Sequence, residues 1–74
     1  MESVKNWIND SRIKDIFTMH FIRAGEMDEQ DSITSFRLIN YLRNGLLWVE
    51  VNTTGWVLDA RVLVDKDGNF EAIA

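Results

Sequence analysis

The sequence predicts an α+β domain in which two or three N-terminal helices precede a three-stranded antiparallel β-meander. Residues 46–74 contain runs of β-branched and aromatic residues, separated by two segments rich in turn-forming residues. Residues 2–43 instead place many apolar residues at the three- and four-residue spacing of helices. Because 74 residues without proline or a low-complexity tract indicate no linker, we expect one small domain spanning residues 1–74.

The first two helices are predicted on either side of Asp10 and Ser11, either of which can cap a helix. Residues 2–9 have helical spacing. Residues 12–24 fit a helix that ends at Gly25, although Phe17, Met19 and Phe21 also alternate with their neighbours as in a strand. We favour the helix.

A third helix is predicted from Ile33 to Arg43, because its apolar residues fall on one side of a helical wheel. Asp31 or Ser32 would cap it, and Asn44-Gly45 would supply a left-handed exit. This helix is the expected cover for one face of the sheet.

The strands are predicted from two turns. If Thr53 and Thr54 form the first loop, Val51 lies opposite Trp56, and the pairs that follow are Val49 with Leu58 and Leu47 with Ala60. Because Thr is not typical of tight hairpin turns, a four-residue loop that keeps the same pairs is an equal alternative. The second segment, residues 65–69, suits a type I turn followed by a left-handed Gly68, which pairs Val64 with Phe70 and Val62 with Ala72.

Side-chain alternation then gives the sheet two faces of different chemistry. The predicted core face consists of Leu47, Val49, Val51, Trp56, Leu58, Ala60, Val62, Val64, Phe70 and Ala72. The other face is a mixture of apolar and charged side chains: Leu46, Trp48, Glu50, Val57, Asp59, Arg61, Leu63, Asp65, Glu71 and Ile73.

The mixed face has the composition of a protein interface, because Trp and Arg are flanked there by apolar and charged residues. We therefore expect contacts with a protein partner through Trp48, Val57, Asp59, Arg61, Leu63 and Ile73. The alternative is a second small core, in which the N-terminal helix covers this face with Val4, Trp7 and Ile8. Exposed edge strands would also permit a homodimer.

A second functional hypothesis comes from the order of the elements, which is similar to that of winged-helix DNA-binding domains. That resemblance makes residues 33–43 the recognition helix, with Arg37, Asn40, Tyr41 and Arg43 facing DNA, and residues 52–55 the wing tip. The resemblance rests on the order of the helices and strands alone. The net charge of −4 and the absence of Lys or Arg at the wing tip argue against nucleic acid.

The chemistry of an enzyme is not indicated. The chain has no cysteine, one histidine without a partner at a suggestive spacing, and isolated glycines, so we expect no catalytic site, metal or cofactor. The acidic segment of residues 26–31 reads as a solvated loop, and residues 65–69 lack the closing Glu of a calcium loop.

These observations predict a non-enzymatic binding or regulatory protein in the cytoplasm, without a membrane-spanning segment. Small size and acidic charge are also typical of inhibitors of host proteins encoded by phages or mobile elements, an analogy that names no target.

Overall fold

The computed structural model describes residues 7–74, which form one helix and a four-stranded antiparallel sheet. Helix α1 spans Ser11–Arg23, and the strands are β1 (Ile33–Tyr41), β2 (Leu46–Thr53), β3 (Val57–Val64) and β4 (Phe70–Ile73). Each strand pairs with the next one along the chain, in the order β1-β2-β3-β4. The predicted α+β class is therefore confirmed, whereas the number of strands is four instead of three.

Helix α1 confirms the interpretation of residues 12–24. Its N-cap is Asp10, whose carboxylate accepts a hydrogen bond from the backbone N–H of Arg12 at 2.9 Å. It ends at Arg23, and Gly25 follows with φ of +75°, a conformation that glycine adopts without steric cost. The helix predicted before α1 lies largely outside the described residues, although Trp7 and Ile8 are helical.

The helix predicted from Ile33 to Arg43 is wrong, because residues 33–41 form β1. Phe36 and Leu38 lie on either side of the exposed Arg37 and pack against the core, opposite Val51 and Val49 of β2. Asn44 and Gly45, expected to end a helix, have φ of +63° and +74°. Two successive positive φ angles are what a type I′ hairpin turn requires, so the pair connects β1 to β2.

The β2–β3 hairpin has the predicted faces but a register shifted by two residues. Val51 pairs with Leu58 rather than with Trp56, and the tip consists of Thr54 and Gly55. The hydroxyl of Thr53 accepts hydrogen bonds from the backbone N–H groups of Gly55 and Trp56 at 3.2 and 3.0 Å, which holds this tip. Because a two-residue shift preserves side-chain direction, the core face is unchanged. Trp56, however, lies beyond the last pair and is 51% exposed.

The β3–β4 hairpin has the predicted turn and an unpredicted bulge. Val64 pairs with Phe70 and Gly68 has φ of +85°, as expected. The register then shifts, so that Leu63 pairs with Ala72 and Val62 with Ile73. One extra residue in β4 exchanges the faces of the residues after it. Ala72 therefore lies on the face opposite the core, while Ile73 packs against the core.

The core lies between the sheet and α1. Its fully buried side chains are Phe17 and Phe21 of α1 together with Leu47, Val49, Val51 and Val62 of the sheet. Phe17 is central, since its ring centroid lies 4.9 Å from that of Phe36 and 6.1 Å from that of Phe70. Burying one such side chain contributes roughly 1.5–3 kcal/mol. The cover of the core face is therefore α1, and not residues 31–44.

Candidate functional site

The side of the sheet away from α1 carries the predicted contact residues. We call it the open face, made of Arg37, Asn40, Leu46, Trp48, Glu50, Val57, Asp59, Arg61, Leu63 and Ala72. The residues that alternate with them in β2 and β3, such as Val49 and Val62, are fully buried on the core side. Strand alternation therefore directs the open-face side chains away from the core.

Five of the six residues predicted to bind a partner are brought together on this face: Trp48, Val57, Asp59, Arg61 and Leu63. Val57 is 55% exposed and Leu63 is 37% exposed, while Trp48 is half-buried between its neighbours. The sixth residue, Ile73, belongs to the other side because of the bulge in β4. Ala72 occupies the position opposite Leu63 instead. Counting alternate residues from the turn could not predict this exchange, because the count assumes a strand without a bulge.

Trp48 lies in the sheet between Asn40 of β1 and Arg61 of β3, the residues that pair with it. Its Nε1–H is buried and donates to no acceptor within residues 7–74. A buried donor without a partner costs about 1–3 kcal/mol.

The charges of the open face form one row across three strands. Arg37 donates from Nε to a carboxylate oxygen of Glu50 at 3.1 Å, and Glu50 lies opposite Asp59 on the other side. Like charges placed directly opposite each other in a sheet are destabilising. Arg61 is exposed and makes no ion pair among the described residues, so it is the cation that this surface can offer.

The described part of the N-terminal segment does not lie over the open face. The indole N–H of Trp7 donates to the carbonyl of Gly68 at 2.9 Å, and its ring lies 5.5 Å from that of Phe70. Trp7 is buried and Ile8 packs against the same core. The alternative in which the N-terminal helix covers the open face is therefore wrong for Trp7 and Ile8. Val4, the third residue of that alternative, lies outside the described residues.

The residues assigned to DNA contact under the winged-helix hypothesis do not share a helix. Arg37 and Asn40 project from β1 onto the open face, Tyr41 ends β1 with its side chain half exposed, and Arg43 lies in the following turn. The recognition helix that this hypothesis requires is a strand. Its wing tip, residues 52–55, is the β2–β3 connection.

Sites of other kinds are not evident in residues 7–74. No group of three or more His, Asp or Glu side chains in this range is arranged to hold a metal ion. Across the same range, no helix combines the length and apolar character needed to cross a membrane.

Comparisons of the chain with models of protein families, with curated proteins and with solved structures gave no match. The site must therefore be interpreted from its own residues.

Two residues of the open face, Arg37 and Asn40, were missed as members of this face because β1 was predicted to be a helix. The signal that could have found them is Asn44-Gly45, a typical two-residue hairpin sequence.

Proposed function

We propose that this chain is a non-enzymatic binding protein that contacts a protein partner through the open face. The observation that carries the proposal is the exposed apolar pair of Val57 and Leu63 beside a half-buried Trp48 and an Arg61 that makes no ion pair within residues 7–74. Exposed apolar side chains bordered by charge on one flat face are typical of protein interfaces.

The binding energy is expected to concentrate at the middle of the face. Trp and Arg are enriched among the residues that dominate protein interfaces, and Trp48 is directly opposite Arg61. The charge row of Arg37, Glu50 and Asp59 lies beside them and sets which partners are repelled. A partner surface with an apolar patch and an acidic group for Arg61 fits this arrangement.

A specific form of this proposal is an inhibitor of a host protein, encoded by a phage or mobile element. Its support is the small size and the net charge of −4. Neither property identifies the target. DNA binding is not proposed as a second function, because its recognition helix is a strand and the open face carries two carboxylates in one row.

The test is a comparison of tagged variants as baits in a lysate of the source cell. Leu63→Asp and Arg61→Glu alter exposed side chains of the open face, so each should reduce recovery of a specific partner at least about 30-fold. Trp56→Ala is the matched control, because it removes an exposed tryptophan that is not on this face.

The proposal predicts recovery with the wild type and with Trp56→Ala, and loss with both open-face variants. Equal recovery with all four baits would remove the open face as the contact surface. Circular dichroism of each bait must show the folded sheet, so that a lost partner is not the result of unfolding.

A further inference from the structure

A groove of about 670 Å³ lies between α1 and β4, at the β4 edge of the sheet. One wall is β4, from Phe70 to Ile73. The other wall is a stripe along α1 consisting of Asp15, Ile16, Met19, His20 and Arg23. Because these residues are three or four positions apart, they form one continuous side of the helix.

The apolar side chains of this stripe are unusually open to solvent. Ile16 is 45% exposed and Met19 is 49% exposed, whereas Phe17 and Phe21 of the same helix are fully buried in the core. Helix α1 is therefore apolar on a second side, for which the core provides no neighbour. Such a patch on a sheet edge is a place where another chain can bind.

The edge of β4 can accept another strand. The N–H of Ala74 donates to the carbonyl of Arg61 at 2.7 Å, so residue 74 directs its backbone toward β3. Because successive residues of an antiparallel strand direct their backbone groups to opposite sides, the N–H and C=O of Ile73 face outward. Glu71 is the single charged side chain of β4 that could discourage pairing there.

The charges of the α1 stripe favour a second copy of this chain as the occupant of the groove. Met19 is four residues from Asp15 and four from Arg23, at the middle of the stripe. If a second α1 lies antiparallel with its Met19 beside the first, each Asp15 lies beside the Arg23 of the other copy. The stripe is thus complementary to itself, as a two-fold interface requires.

The strands allow the same symmetry. Residues from Asp15 to Arg23 of α1 and from Phe70 to Ile73 of β4 line the same groove. Two β4 strands can pair antiparallel with Ile73 at the centre, so that the outward N–H and C=O of Ile73 in each copy bond to those of Ile73 in the other. One two-fold axis can pass between the two strands and between the two helices.

We propose that this chain forms a two-fold homodimer in which the β4 edges join into one eight-stranded sheet and the α1 helices lie antiparallel beside each other. A two-fold axis perpendicular to the sheet leaves both helices on one side. Both open faces then lie together on the other side. The dimer would therefore present two copies of the contact surface to a partner, which raises its apparent affinity.

The test reverses charges at two exposed positions and measures association by sedimentation equilibrium, from about 10 µM to about 1 mM. Asp15→Arg places two arginines beside each other at both symmetric contacts, and Arg23→Asp places two aspartates there. Each single variant should weaken the wild-type dimer about tenfold or more, since two attractive contacts become repulsive.

The double variant Asp15→Arg/Arg23→Asp restores opposite charges at both contacts and should recover the dimer. Mixing the two single variants should also give a heterodimer, because one then carries two arginines and the other two aspartates. Arg43→Asp, a charge reversal at an exposed position in the turn between β1 and β2, is the matched control and should dimerise as the wild type does. A purely structural role for these charges would give no recovery in the mixture.

Amide hydrogen exchange provides a second readout that does not use variants. The N–H of Ile73 should exchange more slowly at high than at low protein concentration, because it gains an acceptor in the joined sheet. A wild-type protein that is monomeric over the whole concentration range would overturn the proposal. The proposal would also be overturned by a dimer whose affinity neither charge reversal changes, or by a dimer in which the N–H of Ile73 exchanges as fast as in the monomer. These outcomes do not depend on the partner proposed for the open face.

Discussion

Asp65 holds the turn between β3 and β4 with one carboxylate. It accepts hydrogen bonds from the backbone N–H groups of Asn69 and Asp67, both at 2.9 Å, and from the side-chain amide of Asn69 at 3.1 Å. These bonds, those from Asn69 foremost, lower the pKa of Asp65 because they stabilise its ionised form. At Asp10, the Arg12 side chain that donates to the carboxylate lowers the pKa in the same way.

The lowered pKa of Asp65 predicts a stability that depends on acid pH. Its contribution is fully present above the ordinary pKa of about 3.9 and is lost as the pH falls through the lower pKa of the folded state. Asp65→Ala should therefore be less stable than the wild type at neutral pH, with a difference that shrinks below about pH 3.9. Urea unfolding at a series of pH values measures this.

Asp67→Ala is the control, because it removes a carboxylate from the same turn that accepts no hydrogen bond among the described residues. If Asp65→Ala and the wild type differ by the same free energy at neutral and acid pH, the ionised carboxylate does not support the turn.

At the scale of elements, the turn of Asn44 and Gly45 makes β1 a strand by bringing it beside β2. Gly45 is held there by close contact as well as by its positive φ. A Cβ at this position would lie 2.8 Å from the carbonyl oxygen of Val64, closer than such atoms approach. The N–H of Val64 also donates to the Gly45 carbonyl at 2.9 Å, so this turn is fixed against the end of β3.

Gly45→Ala should destabilise the protein more than Gly25→Ala does. Both glycines have nearly the same positive φ, so each substitution costs about 1–2 kcal/mol in backbone strain. A Cβ at Gly25 would have no neighbour within 4 Å, whereas one at Gly45 would displace the backbone of Val64. Denaturant unfolding of the two variants gives the comparison, and equal losses would show that the contact with β3 is not constraining.

At the scale of the whole molecule, β2 and β3 are the interior strands and β1 and β4 are the edges. The fully buried sheet residues Leu47, Val49, Val51 and Val62 all lie on the interior strands. Helix α1 supplies Phe17 and Phe21 to the same core. Stability should therefore be highest at the centre of the sheet and lower toward both edges.

Native-state hydrogen exchange at low protein concentration should show this gradient. Amides of β2 and β3 that bond within the sheet should exchange slowest, at the rate set by global unfolding. Outward-facing amides of β1 and of Ile73 should exchange faster, because solvent reaches them without unfolding. Uniformly slow exchange across all four strands would contradict this prediction and would indicate that both edges are covered.

Much of the open face could be predicted from the sequence, because alternation and turn chemistry are local. Trp48 and Val57 fell on the correct face even though the predicted β2–β3 register was displaced by two residues. Ile73 was misplaced because a bulge depends on how β4 fits against β3, and the local pattern of β4 shows no sign of it.

Local sequence was enough to predict helix α1, the turn between β3 and β4, and the existence of one apolar and one mixed face. Tertiary structure decided the state of residues 33–41, whose apolar residues fit a helical stripe and a strand equally well. Pairing with β2 resolves that ambiguity, since the backbone of a strand is satisfied only by a neighbour distant in sequence. The tertiary structure also decided that α1 covers the core face and that β4 is an edge strand.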